Sequence, residues 1–248
     1  MVTDAAIKGA LNNAAWCDIV CRAHGLATNF SANAWECHSP APPLYPNLVT
    51  LSPGGVDAQL GRVRELGSSV GKRGWAVKDS FNSLDLASEG FEVLFDAMWV
   101  HGDVEVDVVS SGLELAASRV ASREGLVAWE AGWRGDEGAA LGGSLGIFPP
   151  LLLKDARVAF VAVSDGHDLV GGVIANRAAG VVGVTNMFCR RGPERHVAAV
   201  CMAEVSALWP GLPVVGYASG EELATLRSLG LKDAGEVRVW SLMDTSGS

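Results

Sequence analysis

Residues 187–200 read MFCRRGPERHVAAV: an apolar run stops, a glycine sits among arginines, and a helical pattern begins. A strand, a basic glycine turn and a helix N-terminus together hold anions well, because the first N–H groups of a helix have no partner and carry partial positive charge. Pro193 suits the first helical position, where its missing donor is least needed. Arg190, Arg191 and Arg195 add positive charge. Glu194 opposes it: its carboxylate favours the helix dipole but repels a close anion by roughly 1 to 4 kcal/mol near a surface.

Other side chains offer further chemistry. Tyr217, one of two tyrosines, ends the strand-like LPVVGY, where side chains of such sheets reach a crevice. Asn176 and Asn186 interrupt apolar strands that are expected to pair, and a buried amide must find partners. There they can orient an acceptor or an acyl oxygen, or simply bond to backbone. In LVAWEAGWRG, Trp129 and Trp133 share a helical face, and Glu130 is in register with Arg134. Tryptophans beside a carboxylate can hold a cationic amine; core tryptophans with a surface ion pair are the plainer account. Cys17, Cys21 and His24 form a stripe with Cys37-His38 beyond it, but no paired Cys-x-x-Cys unit exists, so no metal is expected.

These residues need elements to place them. A first helix is expected over Ala14–His24, capped by Asn13 and closed by Gly25. A proline-rich connector over 38–55 holds one short strand, Leu48–Leu51, and Val56–Leu66 has helical spacing. GWAVKDSF and FEVLFDAMWV read as strands. Leu113–Trp133 has helical periodicity, and Gly135–Gly146 is a glycine-rich loop suited to a mobile lid. FPPLLLKDA suggests a short helix. Residues 157–188 read as three strands joined by turns at Asp165-Gly166 and Ala179-Gly180. Val197, Val200, Cys201, Val205 and Leu208 make one helical face. Strand 212–217, helix Glu221–Leu229 and strand EVRVWSL close the chain. Hairpins plus a crossover helix give an α/β (α+β) class with a mixed, mostly antiparallel sheet flanked by helices. LDLASEGFEVLFDAMW and LATLRSLGLKDAGEVRVW each run from a short leucine-rich helix through glycine to a strand ending in tryptophan. This echo points to two related halves, 1–102 and 103–248.

The net charge is −9, with no long basic run. That excludes a general nucleic-acid binder, whose affinity rests on neutralising phosphates, and is compatible with an amine substrate. No secretory signal or membrane span is evident, and five unevenly spread cysteines suggest a reducing compartment. A cytoplasmic protein is expected, without nucleic acid or membrane as partner.

The second half, roughly Val104–Leu242, resembles the GNAT N-acetyltransferase superfamily. The likeness rests on element order and on LVGGVIANRAAGVVGVTNMF and LPVVGYASGEELATLRSLGLKDAGEVRVW. It implies acetyl-CoA as cosubstrate and a primary amine of a small molecule or peptide as acceptor. Backbone groups at Met187, Phe188 and Cys189 would meet the pantetheine arm. The turn with Arg191, Gly192 and Arg195 would cradle the pyrophosphate. The family places a basic or amide residue at Cys189 and a small one at Glu194, and its usual tyrosine acid falls on Leu226. Tyr217 is then the replacement acid, with Asn186 beside it in catalysis and Trp133, Glu130 and Asn176 on the acceptor side. The alternative is an acyl-CoA or small-ligand binding module that keeps the fold without the chemistry.

Overall fold

The computed structural model describes residues 2–69, 75–104, 115–135 and 146–242. Its centre is an eleven-stranded sheet. In chain order the strands are β1 (Thr28–Phe30), β2 (Ala34–Cys37), β3 (Leu48–Thr50), β4 (Ala76–Asp79), β5 (Phe91–Gly102), β6 (Leu115–Arg119), β7 (Val158–Asp165), β8 (Asp168–Ala178), β9 (Val181–Cys189), β10 (Val214–Ala218) and β11 (Lys232–Leu242). The helices are α1 (Asp4–Ala23), α2 (Val56–Ser69), α3 (Arg123–Arg134), α4 (Glu194–Leu208) and α5 (Gly220–Ser228). Across the sheet the order is β1-β2-β3-β4-β11-β5-β10-β9-β8-β7-β6. Among the described residues only β3–β4 and β9–β10 pair parallel. The class is therefore the expected one, a mixed and mostly antiparallel sheet with helices on it.

Strand β5 lies between β10 and β11, so the first hundred residues and the last fifty share one hydrogen-bonded surface. The segments that echo each other in sequence pair directly: β5 and β11 run antiparallel from Phe91↔Leu242 to His101↔Lys232. Each is preceded by a glycine in the left-handed region, Gly90 and Gly230.

Helices α1 and α3 cover one face of the sheet, with Trp16, Trp129, Phe148 and Phe160 in their shared core. Helices α4 and α5 cover the other, over Val161, Val173, Val182 and Val214. Helix α2 packs Val63 and Leu66 on β4 and β11 through Val77 and Trp240.

Two expected boundaries change. Helix α1 begins ten residues before Ala14, at Asp4, capped by Thr3, whose hydroxyl accepts from the Ala6 N–H at 3.1 Å. Its first half is rich in alanine, asparagine and glycine, and the reason it is helical is tertiary. Gly9 lies so close to the Trp99 ring that a Cβ there would sit 2.9 Å away, and at Gly183 a Cβ would sit 1.8 Å from the Asn12 amide oxygen. Small residues thus let the helix press onto the sheet. The Asn12 amide then donates to the carbonyls of Asn176, Ala178 and Val181 at 3.0, 3.3 and 3.4 Å. Second, the helical pattern over 113–133 divides. Leu115–Arg119 is a strand paired with β7, and the helix starts only where Ser122 caps it, accepting from the Gly125 N–H at 3.0 Å. Strands β1 and β2 were not expected, and the glycine-rich loop expected over Gly135–Gly146 lies, apart from its two end residues, outside the described residues.

Replacing Asn12 by Ala leaves three carbonyls without their donor. We expect a loss of about 1–3 kcal/mol in stability, read as a lower urea midpoint at unchanged m-value. An unaltered midpoint would mean these bonds do not hold α1 in place.

Candidate functional site

Strand β9 pairs with β10 only at Val182↔Val214 and Gly183↔Val215, after which the two diverge. On its other side β9 carries a bulge: Gly172↔Phe188 is followed by Ile174↔Thr185, and Asn186 adopts a φ of 53°. A bulge of this kind redirects backbone groups at the rim of a site. The sheet is therefore split beside Asn186–Cys189, and there is a cavity on each face at the split.

The cavity on the α1/α3 face measures about 160 Å3. Its apolar wall includes Trp16, Tyr45, Trp133 and Phe148, and its polar wall includes Asn13, Lys78, Asn186 and Tyr217. Lys78 comes from β4, whose alternation sends Val77 into the α2 core and Lys78 under α1. The lysine is 5% exposed. Its ammonium donates to the Asn13 amide oxygen and to the Tyr217 hydroxyl oxygen, each at 2.9 Å, and lies 4.2 Å from the centre of the Tyr217 ring. Because an ammonium only donates, Tyr217 must accept, and its own hydrogen stays available to a group in the cavity. Trp99 fixes the tyrosine edge-on at 5.3 Å and is itself held by donating to the Ser80 carbonyl at 2.8 Å. Burial pushes the Cys17 thiol in the wall up to about 11, so it stays protonated at neutral pH.

The cavity on the α4/α5 face is smaller, about 90 Å3, and is lined by Met187, Phe188, Cys189, Val197, Ala198 and two carboxylates, Glu194 and Glu222. Burial first, and the charge of Glu194 second, raise the Glu222 carboxyl from its usual 4.5 to about 7.

This architecture recurs in solved structures. A GCN5-related N-acetyltransferase from Kribbella flavida superposes with a TM-score of 0.59 at 15% identity, over 96% of this chain and 97% of that one. A conserved protein of unknown function from Staphylococcus epidermidis gives 0.59 at 11%, over 88% and 95%. A GNAT-family protein from Novosphingobium aromaticivorans gives 0.52 at 12%, over 92% and 96%. The fold is that of the GCN5-related N-acetyltransferases. It extends over nearly the whole chain, including the N-terminal segment. No protein-family model and no curated protein matches the sequence.

Within this GNAT fold the residues singled out by sequence fall into three groups. Tyr217, Asn186 and Trp133 meet in the larger cavity. Met187, Phe188 and Cys189 line the smaller one. The others have their own partners. Arg191 faces Asp165 and Asp168 at 3.4 and 3.3 Å, and Arg195 bonds the Ser228 hydroxyl and carbonyl at 3.2 and 3.3 Å. Gly192 sits at a φ of 92°, which favours glycine at the turn itself. Pro193 is the N-cap of α4 rather than its first helical residue. Glu130 is 6% exposed, so its ion pair with Arg134 is not a surface one, and it accepts from the Ile147 and Phe148 N–H groups at 2.7 and 3.4 Å. Asn176 donates to the Asn12 carbonyl at 3.3 Å, joining α1 to β8. It lies opposite Gly183, not beside Asn186. Among the described residues no group of three or more His, Cys, Asp or Glu is placed to hold a metal.

Sequence reading missed Lys78, Asn13 and Glu222. The available signal for the first was a Lys-Asp pair closing the apolar run WAV, which is unusual for a strand meant to be buried.

Glu222 gives a test of the smaller cavity. Between pH 4.5 and about 7 the folded protein keeps a proton that the unfolded chain has released, so stability falls as pH rises through that window. Unfolding curves at pH 5, 6, 7 and 8 are expected to show a shallower decline for Glu222→Gln than for the parent. Parallel declines would place Glu222 in solvent.

Proposed function

We propose that the protein transfers an acetyl group from acetyl-CoA to the primary amine of a small molecule or peptide. The observation that carries this reading is the split between β9 and β10 with a cavity on either face and Tyr217 at the larger one. In the transfer, the amine nitrogen attacks the thioester carbonyl carbon, the C–N bond forms and the C–S bond breaks. The departing thiolate takes the proton of Tyr217, and the tyrosinate left behind, stabilised by the Lys78 ammonium 2.9 Å away, recovers a proton through water from the nitrogen that has formed the amide. Asn186, at the bulge, and the neighbouring backbone groups of Met187, Phe188 and Cys189 lie where an acyl oxygen and a pantetheine arm would pass. Among the described residues neither a carboxylate nor a histidine lines this cavity, so the amine enters neutral or loses its proton to water.

A second reading has a specific observation behind it. The smaller cavity, where the coenzyme's phosphates would approach, presents Glu194 and Glu222, while Arg191 and Arg195 are engaged elsewhere. A binding module for a small ligand would keep the fold with that feature. The same framework supports residues 1–102 and 103–248 as related halves joined through β5 and β11. A cytoplasmic location accords with it, and among the described residues no helix is long and apolar enough to cross a membrane.

Calorimetry with acetyl-CoA and with CoA separates the readings. Heat of binding is expected for both ligands, and Tyr217→Phe is expected to lower kcat roughly 10²–10⁴-fold, the usual worth of a positioned acid, with little change in coenzyme affinity. No heat at millimolar coenzyme would remove the transferase and leave the ligand-binding module.

A further inference from the structure

Lys78 is a buried cation with no counterion among the described residues. Among the described residues no carboxylate lies within 4.0 Å of its ammonium, and its two hydrogen-bond partners, Asn13 and Tyr217, are neutral groups that leave one N–H unused. Burying an ammonium is costly unless it is paired, and long buried charges are rare without a partner. The described walls around it do not provide one. Burial keeps the Cys17 thiol and the Tyr45 phenol protonated at neutral pH. The remainder of the lining is amide, hydroxyl, aromatic or aliphatic.

We propose that the cavity binds a small carboxylate with an apolar or aromatic body, its carboxylate taking the third hydrogen of Lys78 and its body packing between Trp16, Trp133 and Phe148. The volume agrees: about 160 Å3 is close to that of engineered apolar cavities that take benzene. At the mouth, Leu44 is 79% exposed with a φ of 70°, a left-handed conformation that costs a non-glycine residue about 1–2 kcal/mol. That places a large apolar side chain on the rim, where a ligand body can cover it. The sign of the site is local. The chain as a whole carries −9, so distant charges attract cations, yet among the described residues the only formal charge in the lining of this cavity is positive.

Where the acyl transfer proposed above operates, the acceptor is accordingly an amino carboxylate rather than a polyamine; that part rests on the transferase reading, whereas carboxylate binding does not. A cationic amine without a carboxylate would meet Lys78 as a like charge.

The test uses ligands matched in shape and different in charge: benzoate, benzyl alcohol and benzylamine, titrated against the full chain by calorimetry and by tryptophan fluorescence. Benzoate is expected to bind roughly 10- to 100-fold more tightly than the other two, the range of one charge-assisted hydrogen bond. In Lys78→Met, checked for folding by circular dichroism, that preference is expected to vanish. Equal binding of the three, tighter binding of benzylamine, no binding of benzoate at millimolar concentration, or an undiminished preference in folded Lys78→Met would each overturn the proposal. Should Lys78→Met fail to fold, the ranking of the three ligands on the parent chain decides alone. With acetyl-CoA present, phenylglycine is expected to be acetylated in preference to benzylamine. Benzoate binding without acetyl-CoA binding would keep the carboxylate site and remove the transferase.

Discussion

Everything at the larger cavity depends on how closely α1 approaches the sheet. Gly9, Asn12, Asn13 and Trp16 lie at successive positions of one helical face, and each does a different job there. Gly9 admits the Trp99 ring, Asn12 bonds three carbonyls around the β8–β9 turn, Asn13 accepts from Lys78, and Trp16 forms part of the cavity wall. A bulkier residue at Gly9 would collide with Trp99, and one at Gly183 with the Asn12 amide, so the seating of the helix would have to change. Lys78 would then lose Asn13, and Tyr217 would lose the ammonium that orients it. The helix is held by polar bonds as much as by apolar area, and such bonds are directional. Its register, and with it the cavity's polar wall, is therefore fixed more tightly than by hydrophobic packing alone.

The two faces of the split carry opposite charge. On the α1/α3 side the one charged side chain among the described lining residues is Lys78. On the α4/α5 side the acidic groups in the described lining are Glu194 and Glu222. Two carboxylates at one small cavity cannot both ionise cheaply, and the raised carboxyl of Glu222 expresses that, after burial. A ligand reaching through the split would meet an anion-repelling end and an anion-attracting end. The turn after β9 and the α1/α3 cavity thus make opposite demands on a ligand's charge.

Much of the C-terminal architecture was legible because its signals are local. The turns at Asp165-Gly166 and Ala179-Gly180, the apolar face of α4 and the glycine closing α5 are written in neighbouring residues, and the strands and helices follow in the expected order. The first half of α1 was not legible, since Gly9, Asn12 and Asn13 read as helix breakers until Trp99 and Gly183 are known to lie against them. The strand at Leu115–Arg119 was hidden for the converse reason: its apolar spacing suits a helix, and only pairing with β7 decides otherwise. Of the residues lining the larger cavity, Tyr217, Asn186 and Trp133 stood out in sequence because each is a chemically rich residue at an element's end or on a helix face. Lys78 was not, because its meaning lies in what surrounds it. A lysine in a four-residue strand is unremarkable until its partners prove to be an amide and a phenol, separated from it by 65 and 139 positions in sequence.

The basic turn after β9 shows the same limit from the other side. Its arginines satisfied the composition expected of a phosphate site, but composition does not say where charge is directed. Arg191 reaches back across the β7–β8 hairpin to Asp165 and Asp168, and Arg195 reaches toward the end of α5 at Ser228. These contacts are solvent-exposed, and exposed ion pairs are worth about 0–1 kcal/mol. A phosphate could therefore recruit either arginine at small cost. Glu194 has no such freedom, since it occupies the first turn of α4, where the helix dipole favours its charge. The balance at this turn is thus set less by the arginines than by Glu222, whose protonation near neutral pH removes one of the two negative charges an approaching phosphate would meet.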